Sequence, residues 1–352
     1  MSSTVTKNIL TYSAFSTFRS CPRKYKNRYE DHLKSKEKAD SLYFGQVIHE
    51  ALTIFYRSGR NLEPVTDYLQ KKLVSPENPD DSQHAFLLAC AMMDGYAARY
   101  ESDEWKIEGL DVEFTGTIRN PATGRESRTF FMAGKANGIV IIDGEWFLLE
   151  HRTASCAEEI DTDRLWADTK ASLYCYYLRQ AGTPVVGVIY NILMKSRIRP
   201  KAGETFEDFQ KRRDESAARN KSGTTKVQQQ MPETPEEFKE RLREWYAKPE
   251  AFYRVALRIP QSRLALLEAE IWEVTQQYLG SRRRGQWLLN TGSCFHYNQP
   301  CEYLKYCRSG FHPGVCRELY EILPPHEELP LLGLQLRPEE QKRYEEIRKD
   351  CV

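Results

Sequence analysis

The chain has little that would mark it as exported, membrane-spanning or uniformly basic. Nowhere in its 352 residues does a run approach the ~18 apolar residues needed to cross a bilayer. Met1 to Leu10 holds neither an apolar h-region nor a small-residue cleavage site, so a cytoplasmic protein is expected. Charge of one sign is not in excess: 51 Lys and Arg face 50 Asp and Glu, a formal net charge of +1. A general basic field is thereby excluded, and any polyanion surface must come from local clusters. There is no internal repeat. There is also no C-x-x-C pair, the tight knuckle through which zinc sites usually present two sulfurs at once.

What is present starts with composition. Apolar residues make up 40% and charged residues 29%, enough for a packed core and against general disorder. The length suits one large domain with insertions or two modest ones. Basic residues cluster at Arg19, Arg23, Lys24, Lys26 and Arg28, at Lys195, Arg197, Arg199 and Lys201, at Lys211 to Arg213, and at Arg282 to Arg284. Any one of these reads as a solvated face; together they favour a polyanion.

Nine cysteines in a reducing compartment argue for free thiols or metal ligation over disulfides. Cys21 stands alone near the start, whereas Cys294, Cys301 and Cys307 follow one another with six and five residues between them. Four thiolates suit a [4Fe–4S] cluster and also tetrahedral zinc. The wide spacing with a remote fourth cysteine favours the cubane, with zinc and unligated thiols as the alternatives. Such a centre would pin both ends of the chain and close a loop of roughly 270 residues. Cys90, Cys156, Cys175, Cys316 and Cys351 read as buried or incidental thiols, and His296 and His312 as surface or packing histidines.

Periodicity predicts helices from Tyr12 through Tyr29, from about Ser41 to Tyr56, and from Asp81 to Tyr100. Alternation then takes over at Leu110 to Thr117 and Thr129 to Phe131. Ile139 to Ile142, Asp143-Gly144 and Trp146 to Leu149 predict a strand, a hairpin turn and a strand. Leu165 to Ala181 is helical again, and the branched run Val185 to Met194 reads as a buried strand. The order predicts an α/β fold with a mixed sheet flanked by helices. Lys195 to Glu233 reads as a charged insertion with a flexible piece at Asn220 to Gly223. Thr234 and Pro235 open a helix to Tyr246, Ser262 to Leu279 forms another, and Arg337 to Asp350 a charged helical tail.

Several landmarks then fall in a known order: Gly45-x-x-x-His49-x-x-Leu52, Glu113, Gly134-Lys135-Ala136-Asn137, Glu150-His151-Arg152-Thr153 and Lys170-x-x-x-Tyr174. This order resembles the RecB-like PD-(D/E)XK nucleases. The placing of Cys21, Cys294, Cys301 and Cys307 resembles the Fe–S subgroup of that superfamily, which includes the AddB nuclease domain, the CRISPR-associated Fe–S exonucleases and phage or bacterial exonuclease-like proteins. The resemblance covers roughly Tyr12 to Cys307.

It implies a restriction-endonuclease-like core whose N- and C-terminal segments are joined by a [4Fe–4S] cluster. It further implies metal-dependent phosphodiester hydrolysis on single-stranded DNA or DNA ends, with roles in repair or recombination. His49, Asn137 and Glu150 would hold Mg²⁺ or Mn²⁺. Arg152 would meet the scissile phosphate, Lys170 and Tyr174 the DNA backbone, and Glu113 would stand behind the site. Three positions depart from the family pattern: Asn137 stands for aspartate, Arg152 for lysine and Lys170 for glutamine. All three remove negative charge or add bulk and positive charge where a hard cation should sit. Weak or absent activity is therefore expected. The alternative is a non-catalytic Fe–S DNA-binding or scaffold subunit beside a helicase or recombinase. The expected divisions are a helical region at 1–105, the nuclease core at 106–196, a charged helical insertion at 197–260, C-terminal helices with the cluster cysteines at 261–318, and a charged tail at 319–352.

Overall fold

A computed structural model describes residues 8–36, 40–219, 224–296, 299–323 and 329. The expected flexible piece at Asn220 to Gly223 and the tail at Arg337 to Asp350 lie outside the described residues. In chain order the elements are β1 (Asn8–Leu10), α1 (Tyr12–Ser20), α2 (Pro22–Tyr25), a π-helical turn (Lys26–Glu30), β2 (Leu33–Ser35), α3 (Asp40–Arg57), α4 (Glu63–Leu73) and α5 (Pro79–Arg99). Then follow β3 (Lys106–Arg119), β4 (Glu126–Ile142), β5 (Glu145–Ala154), α6 (Thr162–Trp166), α7 (Thr169–Gln180) and β6 (Val185–Met194). The remainder comprises α8 (Phe206–Arg219), α9 (Pro235–Tyr246), β7 (Phe252–Arg258), α10 (Gln261–Arg284), β8 (Phe295–His296), β9 (Gln299–Pro300), α11 (Leu304–Arg308), α12 (Pro313–Leu319) and β10 (Tyr320–Ile322).

Local chemistry sets many of these boundaries. The side chain of Thr11 caps α1 by accepting from the backbone N–H of Ala14. Asp143 and Gly144 both take positive φ, 50° and 80°, the geometry a two-residue hairpin needs to match strand twist. α9 opens with Pro235 behind a complete capping box of Thr234 and Glu237. Gly285 ends α10 in the left-handed region.

The main sheet is mixed. β4 runs antiparallel to β3 along one edge. Its other edge is divided: β5 takes Gly138 to Ile142 antiparallel, and β1 takes Phe130 to Met132 in parallel. Among the described residues, the stretch 133–137 between them has no strand on that side. β5 continues parallel to β6, and β6 runs antiparallel to β7. Helices cover both faces. On one, α1, α7 and α10 pack through Phe15, Leu173, Tyr177, Leu264 and Ile271. On the other, α3, α4, α5 and α9 pack through Ile48, Leu69, Met92, Phe238 and Leu242. The α/β arrangement with a mixed, helix-flanked sheet is as expected. Several elements differ from expectation: the helices read from Tyr12 through Tyr29 and over Leu165 to Ala181 are each broken, at Cys21 and between α6 and α7. Residues 252–258 form a sheet strand inside the segment read as an insertion, and α4 fills a stretch to which no element was assigned. Among the described residues, no helix is long and apolar enough to cross a membrane.

Candidate active site

The site is built where β4 and β5 part. Their last pair before the opening is Gly138 with Leu149, and Glu150 to Thr153 pair onward with β6. Asn137 spans the opening: its Oδ1 accepts the backbone N–H of His151 at 3.0 Å. Alternation along β5 sends Leu148, Glu150 and Arg152 toward the α7 layer and Leu149, His151 and Thr153 toward the α3 layer.

On the α7 side, Glu150 is 4% exposed and forms an ion pair with the ammonium of Lys170. That ammonium stands 5.3 Å from the centroid of the Tyr174 ring. Arg152 forms a second ion pair, with Asp168, and its guanidinium lies 4.6 Å over the Tyr190 ring. The Tyr190 hydroxyl is 3.1 Å from the Leu165 carbonyl and 3.0 Å from Asp168 Oδ2. Asp168 also caps α7, its Oδ1 accepting the Lys170 N–H at 2.8 Å. One aspartate thus starts the helix that carries Lys170 and Tyr174, and orients Arg152. Sequence reasoning passed over it, although an aspartate at the start of a helix is a recognisable cap.

On the α3 side, Gly45 lets the helix lie close to β5: a Cβ there would stand 3.1 Å from Thr153 Oγ1. One turn on, His49 is half-buried and its ring centroid is 6.1 Å from that of His151. Burial, then the Lys170 ammonium and the Arg152 guanidinium, push the His49 pKa down to about 4, so the ring is neutral at pH 7. His151 is 1% exposed, stacks against Tyr56, and is held well below the usual histidine range by burial, with His49, Arg254 and Lys170 adding to it. Glu113 sits on β3 opposite Lys135, its Oε1 buried without a hydrogen-bond partner. Among the described residues, no three His, Cys, Asp or Glu side chains stand so as to hold a metal ion.

With that geometry in place, comparison with known proteins is decisive on ancestry. Residues 9–308 match the family profile of the PD-(D/E)XK nuclease superfamily. The chain belongs to that superfamily. A solved structure described as "SSO0001" aligns with 10% identity and TM-score 0.32, covering 88% of this chain and 87% of the other. A protein from Eubacterium rectale described as "Putative exonuclease" aligns with 13% identity and TM-score 0.40, covering 92% of each chain. A search of curated proteins found no match.

In this superfamily member the N- and C-terminal segments are knitted together beside the nuclease core. Ser20 O accepts from Asn290 Nδ2 at 2.7 Å and from Ser293 Oγ at 2.9 Å. Cys21 Sγ lies 3.5 Å from the Asn290 backbone N–H, and β2 pairs with β10. The Cys301 N–H donates to the Cys294 carbonyl at 2.8 Å. Burial, with smaller contributions from Cys301, Cys21 and Cys294, pushes the Cys307 thiol up to about 11. Of the four cysteines singled out in the sequence, Cys294 and Cys301 are thus joined through the backbone and Cys21 sits against Asn290, but among the described residues no three of them stand so as to hold a metal ion. His312, read as a packing histidine, caps α12 through Nδ1 at 3.1 Å from the Gly314 N–H.

Beyond β5 two grooves open. One of ≈ 670 Å³ is lined by Arg152, Cys156, Glu158 and Arg164. The other, ≈ 580 Å³, has Tyr43, Phe44, Ser155, Lys195, Arg197 and Arg199 among its walls.

Proposed function

We propose that this PD-(D/E)XK protein acts on the phosphodiester backbone of single-stranded DNA or DNA ends, with a metal site that works weakly as built. The observation that carries this reading is the ion pair between Lys170 and Glu150 at the split between β4 and β5. Glu150 is the carboxylate that would hold a divalent cation, and an ammonium already neutralises it. Asn137 offers only an amide oxygen, which already accepts from His151. One carboxylate, one imidazole and one amide beside two cations form a poor cradle for Mg²⁺, which demands hard, anionic oxygens. His49, Asn137 and Glu150 therefore fit that ion poorly, and no hydrolytic step is derived through it. Arg152, Lys170 and Tyr174 suit a phosphate better than a metal, since phosphate recognition needs donors and positive charge. The basic groove past Ser155 offers a path for the strand, with the exposed Tyr43 as a stacking face.

The same ion pair favours a second reading, a non-catalytic clamp on single strands. The four cysteines offer the donor type a [4Fe–4S] cluster takes, and a backbone N–H directed at sulfur, as at Cys21, is what cluster sulfurs accept. Bound there, a cluster would hold the chain ends and need take no part in chemistry.

The deciding experiment is a nuclease assay on 5′- and 3′-labelled single strands in Mg²⁺ and in Mn²⁺. It compares the natural chain with the triple variant Asn137→Asp, Arg152→Lys, Lys170→Gln. Slow Mn²⁺-preferring cleavage that the triple variant accelerates supports the nuclease reading. Tight binding with no cleavage by either protein selects the clamp. Brisk cleavage by the natural chain in Mg²⁺ overturns the weakened-site reading.

A further inference from the structure

Behind the split lies a row of polar side chains that no part of the motif requires. Strand register places His151 of β5 opposite Asn191 of β6, and Asn191 opposite Arg254 of β7. The side chains follow the row. Arg254 Nε donates to Asn191 Oδ1 at 3.3 Å, and Asn191 Nδ2 lies 2.9 Å from His151 Nδ1. Arg254 is itself fixed. It pairs with Asp103 at 2.6 Å, donates to the Tyr96 hydroxyl at 3.2 Å, and lies 3.4 Å and 3.6 Å from the centroids of Tyr100 and Trp105.

The chemistry of the row leaves one assignment. Guanidinium can only donate, so Asn191 must present its oxygen to Arg254. Its amide nitrogen then faces His151, and an amide N–H needs an acceptor. His151 Nδ1 must therefore carry a lone pair, which leaves the ring proton on Nε2. That Nε2–H is sealed from solvent and has no hydrogen-bond partner among the described residues. A buried donor without a partner costs about 1–3 kcal/mol, and native proteins rarely leave one unless something else fills it. A protonated Nε2 cannot ligate a metal. It can take an anionic oxygen, and the His49 ring stands beside it.

We propose that Arg254 and Asn191 are positioning residues that hold His151 as a hydrogen-bond donor through Nε2, so that it serves a phosphate oxygen and not a cation. His49 is the half-buried ring beside it, its centroid 6.1 Å away. This rests on the reading of the split as a DNA-phosphate site and deepens it.

The test uses full-length protein labelled with ¹⁵N-histidine, with the His151 signals identified by their loss in His151→Gln. Long-range ¹H–¹⁵N correlation should show the Nε2–H tautomer in the natural chain. In Asn191→Asp a carboxylate, which only accepts, should convert the ring to the Nδ1–H form. A 5′-phosphorylated oligothymidylate should shift the Nε2 resonance, inorganic phosphate should do so more weakly, and Zn²⁺ should leave it unmoved. Oligothymidylate binding should weaken roughly tenfold or more in Asn191→Asp and in His151→Phe, as expected for losing a donor to a charged group. It should be largely kept in His151→Gln, whose amide retains a donor; that pair of variants carries the test if Asn191→Asp does not fold. An Nδ1–H tautomer in the natural chain, or a His151 signal that follows Zn²⁺ and ignores both phosphates, overturns the inference. So does oligothymidylate binding that is indifferent to His151→Phe, which leaves the DNA reading standing. Absence of oligothymidylate binding by the natural chain sinks both.

Discussion

Lys170 donates to Oε1 of Glu150, so the carboxylate midway along β5 is already paired from the helix that follows it. Glu150 exposes only 5% of its side chain and Lys170 27%. Removing the cation alone should leave a buried carboxylate unpaired, which is costly. Lys170→Gln should therefore destabilise the metal-free protein by roughly 1–3 kcal/mol, less than for a fully buried pair because Lys170 is partly solvated. Added Mn²⁺ should restore most of that stability. Thermal melts with and without Mn²⁺ check this, and a variant whose melting ignores the metal would show that Glu150 is not a ligand.

The Asn137→Asp change should act differently. Its carboxylate keeps the acceptor that Asn137 offers to the His151 N–H and adds a hard anionic ligand. Mn²⁺ affinity by titration calorimetry should rise by about tenfold or more, the effect of one added charge in a low-dielectric site. Arg152→Lys alone should change affinity little, since Arg152 is occupied with Asp168.

Acidification should weaken the metal-free fold through His49. Its folded pKa of about 4 lies below the unfolded value of ~6.5, so between those values the unfolded chain binds more protons. Stability is full above pH ~6.5 and falls as the pH drops toward 4, by about 3 kcal/mol in the limit of a fully shifted group. His151, held well below the usual histidine range by burial, adds to the loss in the same direction. Denaturant melts from pH 7.5 to 4.5 should show this slope, and His49→Gln should flatten it. An equal slope in the variant would assign the acid sensitivity elsewhere.

Anaerobically purified protein should be brown, absorb broadly near ~400 nm and carry about four iron atoms per chain. Cys21→Ser or Cys301→Ser should bleach it and lower the melting temperature. A colourless protein with one tightly held zinc would replace the cluster by the alternative thiolate site.

Much of the fold was legible because its signals are local. The α3 stripe, the Asp143-Gly144 hairpin, the Thr234-Pro235 start and the branched run of β6 each announce themselves within a short window. β7 did not, since Phe252 to Arg258 makes sense as a strand only once β6 is beside it. In the site, Glu150, Lys170, Arg152 and Tyr174 do come together, and His49 approaches from the opposite layer. Their pairings were hidden. That Lys170 meets Glu150 while Arg152 turns to Asp168 depends on the break between α6 and α7, where the sequence reads as one continuous helix. The row of His151, Asn191 and Arg254 was invisible for a plainer reason: strand register joins residues 40 and 63 positions apart, and no periodicity spans that distance.

The knit between the two ends of the chain has a consequence for how the protein is made. Ser20 finds its partners in Asn290 and Ser293, and β2 finds its own in β10. At ribosomal rates of about 5–20 residues per second, the first helices wait on the order of tens of seconds before those partners exist. The core sheet can assemble meanwhile, because β3 to β6 are sequential neighbours. The segment from Ser20 to β2 must be the last piece to lock, and contacts of such long range slow that step further. A chain interrupted before residue 290 would carry a finished sheet with Ser20 and β2 lacking those partners, a loose segment that quality-control proteases can recognise.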